Sequence, residues 1–272
     1  ACLITGRNFI TTFHGTYNSK SRIKSFYNSV MLRSKLTIAG SNFIFNHINE
    51  NYSKYLHRKK KLRVIFRGIN IDYYNKKNIS NLKHEKLKQD WEIFPNRFTI
   101  LMPGRLTSWK GHEKFIEALN ILIEDYNNLK FQAIILGSDQ GRKVYKKKLI
   151  NLVQRYRLNN RIKFIDHCEE MPLAYSVADV VVSASIEPEA FGRVAVEAQA
   201  MEKTIVASNI GGSKETILNE KSGFLYKHDD PRELAKTLNT VIDLELDKLK
   251  SIGIEGRKNV TKKFDVELMC DS

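Results

Sequence analysis

Short apolar runs rich in β-branched residues alternate with amphipathic stretches of helical length along nearly the whole 272-residue chain. That alternation predicts α/β architecture with parallel sheets, because parallel neighbours must be joined by a crossover, and the crossover here has the length and pattern of a helix. Strands are expected at FITTF (9–13), KLTIA (35–39), RVIF (63–66), FTILM (98–102), FQAIIL (131–136), IKFI (162–165), DVVVSA (179–184) and TIVAS (204–208). Helices are expected at 20–32, 42–57, 112–127, 142–156, 192–201 and 231–244. None of the apolar runs approaches the roughly 18 residues of a membrane-spanning helix. The sequence therefore predicts a chain that can touch a membrane without crossing it.

The length, with 42% hydrophobic residues, suggests about two domains. The segment from Asn75 to Asn96 is polar, rich in Lys and Asn, and contains Pro95, so a junction is expected there. On that division residues 1–90 form a partial N-terminal unit, and 91–272 read as a complete α/β unit of six strands. The first unit holds only about three strand-helix pairs, so it is either small or lacks its beginning. The opening residues ACLITGRNFI contain no initiator Met and no secretory pattern, and the chain reads as a fragment.

Cys2, Cys168 and Cys270 are widely spaced and form no Cys-x-x-Cys pair, which argues against a disulfide framework or structural zinc and for a reducing cytoplasm. The formal net charge of +15 favours anionic partners such as nucleotides, phosphorylated lipids or membrane surfaces. Single basic clusters, including RKKKLR (58–63) and RKVYKKK (142–148), read as compositional, since Lys, Asn and Ile are abundant throughout. No aromatic interleaving or zinc finger accompanies them, so no nucleic-acid partner is expected.

In an open parallel sheet ligands bind beyond the carboxyl ends of the strands. After FTILM comes PGRLTSWKGHEKF, where Arg105 and Lys110 flank a short loop and Gly111 opens a helix; two cations beside free helix N–H groups suit a diphosphate. It is not a Walker loop, because Lys110 precedes its Gly. After DVVVSAS comes IEPEAFGRVAVEAQA, with Glu189 on the loop, Gly192 near the helix start and Glu197 among small apolar residues, where its carboxylate is expected to be partly buried. A buried acid needs a partner, and two adjacent ribose hydroxyls fit. After TIVAS, Gly211 and Gly212 precede a short helix that Ser213 is expected to cap, and the pair reads either as a phosphate nest or as a tight turn. His14 ends a strand beside Gly15 and, alone, is more often a packed residue than a catalytic one.

Together FHGTY, KLTIAGSNF, RVIFRGINIDYY, MPGRLTSWKG, AIILGSDQG, EPEAFGRVAVEAQA, ASNIGGSKETI and SGFLY resemble, in order, the retaining glycosyltransferases of family 4, with wording around AFGRVAVEAQAM closest to bacterial lipopolysaccharide and envelope-glycan members. The resemblance implies GT-B architecture, two Rossmann-like domains facing across a cleft, here with the first incomplete. It implies that Glu189 faces the transferred sugar, that Glu197 binds the ribose, and that Phe191 and Gly192 contact sugar and phosphate through their backbone. Arg105 and Lys110 match the basic pair on the diphosphate, and His14 the histidine across the cleft. Gly104, Gly137, Ser138, Asp166 and His167 fall at positions around the base and phosphates. The implied donor is a UDP- or GDP-linked sugar of hexose type, with no cofactor and no metal. The implied acceptor is an envelope glycan or a lipid-linked molecule, reached from the cytoplasm or the inner membrane face. Glu245-Leu-Asp247, the nearest approach to an Asp-x-Asp site, reads as charged helix surface. Full-length members carry a further front portion, and their last helix crosses back to the first domain about where KKFDVELMCDS stands. Other readings are a nucleotide-sugar-binding remnant without transfer, a glycoside hydrolase, which needs both acids beside one bond, and a nonspecific basic nucleic-acid binder.

Overall fold

The computed structural model describes residues 7–17, 21–56 and 62–272. Two parallel sheets are formed. The first has the order β1 (Ile10–Phe13), β2 (Leu36–Ala39), β3 (Leu62–Val64), with α1 (Arg22–Ser29) and α2 (Asn42–Tyr52) as crossovers. Each helix runs on into a 3-10 turn, Val30–Arg33 and Ser53–Tyr55, so both end sooner than the apolar pattern suggests. Residue 20, residues 57–61 and Cys2 lie outside the described residues, and with them most of the RKKKLR cluster. A small core of Phe13, Leu32, Ala39, Ile44, Ile48, Tyr52 and Leu62 fills this unit.

The second sheet contains β4 (Phe98–Pro103), β5 (Phe131–Leu136), β6 (Ile162–Ile165), β7 (Val180–Ser183), β8 (Thr204–Ser208) and β9 (Phe224–Tyr226), in the order β6-β5-β4-β7-β8-β9. Its apolar runs are continuous because both faces are covered. Ile100, Met102, Ile135, Val180 and Val182 face α4 (His112–Glu124), α5 (Lys143–Arg155) and α9 (Pro231–Ile242). Leu101, Ile134, Leu136, Val181 and Ile205 face the opposite layer, made by α6 (Met171–Ser176), α7 (Arg193–Ala200) and α10 (Leu246–Lys263). The alternation is the two-residue period of a strand expressed in packing.

The chain passes from one sheet to the other between β3 and β4. Ile69, Ile71, Tyr74 and Trp91 pack into the core of the second unit, and α3 (Asn81–Asp90) lies in the polar segment read as a junction, against α6. Past α8 (Ser213–Thr216) and α10, the chain returns to this connection. Ile69 N–H donates to the Phe264 carbonyl at 2.9 Å and Val266 N–H to the Ile69 carbonyl at 3.0 Å, just before α11 (Val266–Cys270). The FDVEL stretch is thus where the chain returns to the connection between the two sheets. Among the described residues no helix is long and apolar enough to cross a membrane.

Candidate functional site

The strand order reverses between β4 and β7, and at such a point the two following loops diverge and leave a crevice beyond the carboxyl ends. The loop after β4 carries Gly104 and Arg105, tightens into a 3-10 turn over Ser108–Lys110 and enters α4 through Gly111. Gly111 has φ +76°, and a Cβ there would stand 1.9 Å from the Ala184 carbonyl oxygen at the end of β7. Only glycine lets the two loops close on each other, and Ile186 N–H then donates to the Trp109 carbonyl at 2.9 Å. The closure aims Lys110 across the crevice, where its Nζ lies 2.7 Å from Glu189 Oε1 and 4.5 Å from the Trp109 ring centre. Lys110 and Glu189 are only 13% and 11% exposed, and Ser185 Oγ donates to the same Oε1. Arg105, in contrast, is exposed and makes no hydrogen bond or ion pair within the described residues.

The loop after β7 is braced from three sides. Gly212 N–H donates to the Glu189 carbonyl at 2.7 Å, Ser41 Oγ to the Ala190 carbonyl at 2.5 Å, and the buried Phe191 ring stands edge-on to Phe264 at 5.5 Å. Gly192, φ +85°, begins α7 with its Cα against Ser213, where a Cβ would meet Ser213 Oγ at 2.7 Å. One expectation is corrected. Ser213 is the first residue of α8 and does not cap it, since Gly212 holds the cap position. The Gly211-Gly212 turn packs on the backbone of Pro188, Glu189 and Ala190, which agrees with the tight-turn reading of this pair.

Glu197 is 6% exposed, on the face of α7 turned to the cleft floor. Its partners are protein groups: Tyr175 O–H donates to Oε2 at 2.9 Å, and Arg193 Nε and Nη2 donate to Oε1 at 3.2 and 2.8 Å. Burial and then the neighbouring Glu197 carboxylate push the Tyr175 and Tyr74 phenols above their ordinary range. Arg193 is held further toward its charged form, chiefly by Glu197, and its side chain is 63% exposed. An exposed Arg can swing away and free Oε1 for a ligand.

His14, Gly104, Arg105, Lys110, Gly137, Ser138, Asp166, His167, Glu189, Phe191, Gly192 and Glu197 all line one cleft of about 880 Å³. His14 enters from the first sheet. Asp166 is paired with Lys146 of α5. Glu245 precedes α10 and Asp247 is exposed on it, away from the cleft. Sequence reading missed Tyr74, Tyr175, Ser185, Trp109, Arg193 and Arg67, which share the cleft or its polar contacts. Tyr175 lies in MPLAYS, whose six-residue helix has too few turns to show a period. Tyr74 and Arg67 stand in RVIFRGINIDYY, a quoted motif without an assigned role.

Residues 83–259 match the sequence model of the family described as glycosyl transferases group 1, more than half of the chain. The chain belongs to this family. Among its relatives, a capsular polysaccharide biosynthesis glycosyltransferase, CapM, of Staphylococcus aureus is 26% identical over 192 residues, 70% of this chain and 48% of that protein. A D-inositol 3-phosphate glycosyltransferase of Corynebacterium efficiens is 28% identical over 185 residues, 67% of this chain and 43% of that protein. The chain thus spans about half the length of these curated relatives. Among solved structures, a glycosyltransferase from Rickettsia africae superposes with a TM-score of 0.89 at 36% identity, covering 99% of this chain and 69% of that one. Anabaena Alr3699/HepE in complex with UDP-glucose superposes with a TM-score of 0.87 at 27% identity, covering 99% and 72%. The fold is the GT-B α/β fold, with two Rossmann-like domains whose sheets are parallel.

Proposed function

We propose that this chain is the donor-binding and transferring part of a retaining, metal-independent glycosyltransferase that moves a hexose-type sugar from a nucleoside-diphosphate sugar to an envelope glycan or lipid-linked acceptor. One observation carries the reading: Lys110 and Glu189 are locked together at the mouth of a cleft whose floor holds the buried Glu197. In this reading Glu197 receives the ribose hydroxyls once Arg193 swings out, with Tyr175 holding the carboxylate in place. Arg105 and Lys110 take the diphosphate, Glu189 Oε2 accepts a sugar hydroxyl, and the backbone at Phe191 and Gly192 approaches sugar and phosphate. Gly104, Gly137 and Ser138 lie along the phosphates, Asp166 and His167 toward the base.

The chemistry is electrostatic. As the glycosidic bond to the leaving phosphate lengthens, negative charge grows on the diphosphate, and fixed cations stabilise that charge more than they stabilise the bound substrate. The acceptor hydroxyl attacks from the face the phosphate leaves, and the departing phosphate oxygen takes its proton. His14 lines the other side of the sugar. The complexes of HepE with UDP and glucose and with UDP-glucose support the donor class. CapM, named for capsular polysaccharide biosynthesis, supports an envelope acceptor. The cytoplasmic side, including its membrane surface, fits an acceptor of that kind.

Melting the protein with millimolar UDP, GDP, ADP, CMP and their sugar conjugates tests the reading. A ligand at about 100 times its dissociation constant adds roughly 2.7 kcal/mol of stability. One base is expected to raise the melting temperature and to lose that effect in Glu197→Ala; no shift with any of them overturns the donor assignment. Anomeric NMR of the product with the selected donor then tests retention.

A further inference from the structure

Arg67 follows β3 at the carboxyl end of the first sheet and lines the cleft from the side opposite in sequence and fold to Arg105 and Lys110. Its methylene stem lies over Gly40, where a Cβ would sit 3.2 Å from Arg67 Cγ. The side chain is half-buried, yet it makes no hydrogen bond or ion pair with any described residue. It also borders a second pocket of about 370 Å³, together with Asn70, Tyr73, Tyr74, Phe191 and Arg193, and among the described residues no Asp or Glu lines that pocket. Asn70 Oδ1 accepts from the Tyr73 N–H at 2.8 Å, so the Asn70 amide group facing other partners is a donor, as is the exposed Tyr73 hydroxyl.

A half-buried guanidinium with five N–H donors and no protein acceptor leaves those donors open to water or to a ligand. The planar fork matches phosphate in a bidentate manner. Arg193, the other cation of the pocket, is paired with Glu197 until a donor ribose displaces it and can then face the same pocket as Arg67, while the loop after β4 supplies its own cations for a donor diphosphate. Arg67 therefore serves a different anion, and it presents it to the wall that carries His14. We propose that Arg67, with Asn70 and Tyr73, binds a phosphate group on the acceptor. The inference rests on the reading that the second-sheet wall holds the donor. Phosphate of this kind can belong to a lipid headgroup or to a soluble phosphorylated sugar or polyol.

The test fills the donor subsite with the nucleoside diphosphate that stabilises the protein best, then titrates glycerol 3-phosphate by calorimetry into wild type, Arg67→Gln and Arg105→Gln. Arg67→Gln is expected to weaken glycerol 3-phosphate, or short-chain phosphatidic acid in neutral bicelles, by about tenfold or more. Its nucleotide affinity should stay within about twofold of wild type, because the donor cations are untouched. Arg67-dependent binding of the bicelles alone assigns the lipid source, and of glycerol 3-phosphate alone the soluble one. The proposal is overturned if Arg67→Gln weakens the nucleotide as much as Arg105→Gln does, or if both phosphate probes bind wild type and Arg67→Gln alike. If no nucleotide binds wild type, the donor reading fails separately, and the same phosphate titration is read with Arg105→Gln as the parent protein.

Discussion

The two walls of the cleft are held in different ways. On the second-sheet wall two glutamates have their partners before any ligand arrives: Glu189 takes Lys110 and Ser185, Glu197 takes Tyr175 and Arg193, and the loops that carry them are joined through Ile186 and Gly212. The first-sheet wall presents His14, Gly15, Thr16 and Arg67 on a three-stranded sheet with a small core. It meets the other wall at few points. Ser41 reaches the Ala190 carbonyl, and the Glu215 carboxylate of α8 accepts from Asn42 N–H at 2.9 Å, Asn42 Nδ2 at 3.0 Å and Phe43 N–H at 2.5 Å. Glu215 thus caps the N-terminus of α2 from the other unit, where the helix dipole favours negative charge. One wall is preorganised, and the other is brought to it by the Glu215 carboxylate, the Ser41 hydroxyl and a short return of chain at Ile69.

Glycine substitutions should separate the two walls by the largest margin. Gly111→Ala puts a Cβ into the Ala184 carbonyl at a left-handed φ, and about 4 kcal/mol or more of stability should be lost. Gly15→Ala on the opposite wall meets nothing within 4 Å, so its cost should stay within about 0.5 kcal/mol. Chemical denaturation of the two variants measures the difference, and equal costs would mean the loops do not close as described.

A pH dependence of nearly that size should come from beneath the same wall. His112, the first residue of α4, is fully buried, and its ring nitrogens find no partner among the described residues. Burial, reinforced by Lys110, pushes its pKa down to about 4; the Thr107 backbone opposes the shift without reaching hydrogen-bond geometry. The folded state therefore holds neutral His112 while the unfolded chain takes up a proton below about pH 6.5. Stability falls as pH drops from about 6.5 to 4, by roughly 3 kcal/mol in total, and is unaffected by this group above that window. His112→Leu should flatten the slope of stability against pH there; an unchanged slope rules the histidine out.

Glu197→Ala leaves the buried Tyr175 hydroxyl without its acceptor, and a loss of about 2 kcal/mol is expected alongside loss of nucleotide binding. Glu215→Ala should be milder, about 1 kcal/mol for the lost cap. Amide exchange at Asn42 and Phe43 should speed up while α7 is unchanged, and small-angle scattering should record a more open pair of domains. Unchanged exchange at those amides would show that α2 does not depend on the second unit.

Most strands were legible in the sequence because a strand covered on both faces is nearly all apolar; FQAIIL and TIVAS end where the structure ends them, and so does IKFI, an edge strand with Lys163 inside its run. β9 is three residues long, too short to show as a run. Helices α3 and α10 escaped because NLKHEKLKQD and LDKLKSIGIEGRKNVTKK are mostly polar, and α10 buries Gly253, Gly256 and Asn259 where a helical pattern leads one to look for large apolar residues. In the site, all twelve residues singled out from the sequence meet in one cleft. What spacing leaves unread is who contacts whom. Glu197 looked like a carboxylate awaiting a ligand, but a tyrosine from α6 and an arginine one turn away already hold it, and those partners exist only after folding.

The most direct test is a calorimetric titration of UDP-glucose and GDP-mannose into the protein and into Glu197→Gln, a near-isostere that removes the charge. The account predicts saturable one-to-one binding of one of them to the native chain, weakened at least about tenfold in the variant. Equal affinity for both proteins, or no binding of either sugar nucleotide to the native chain, would contradict it.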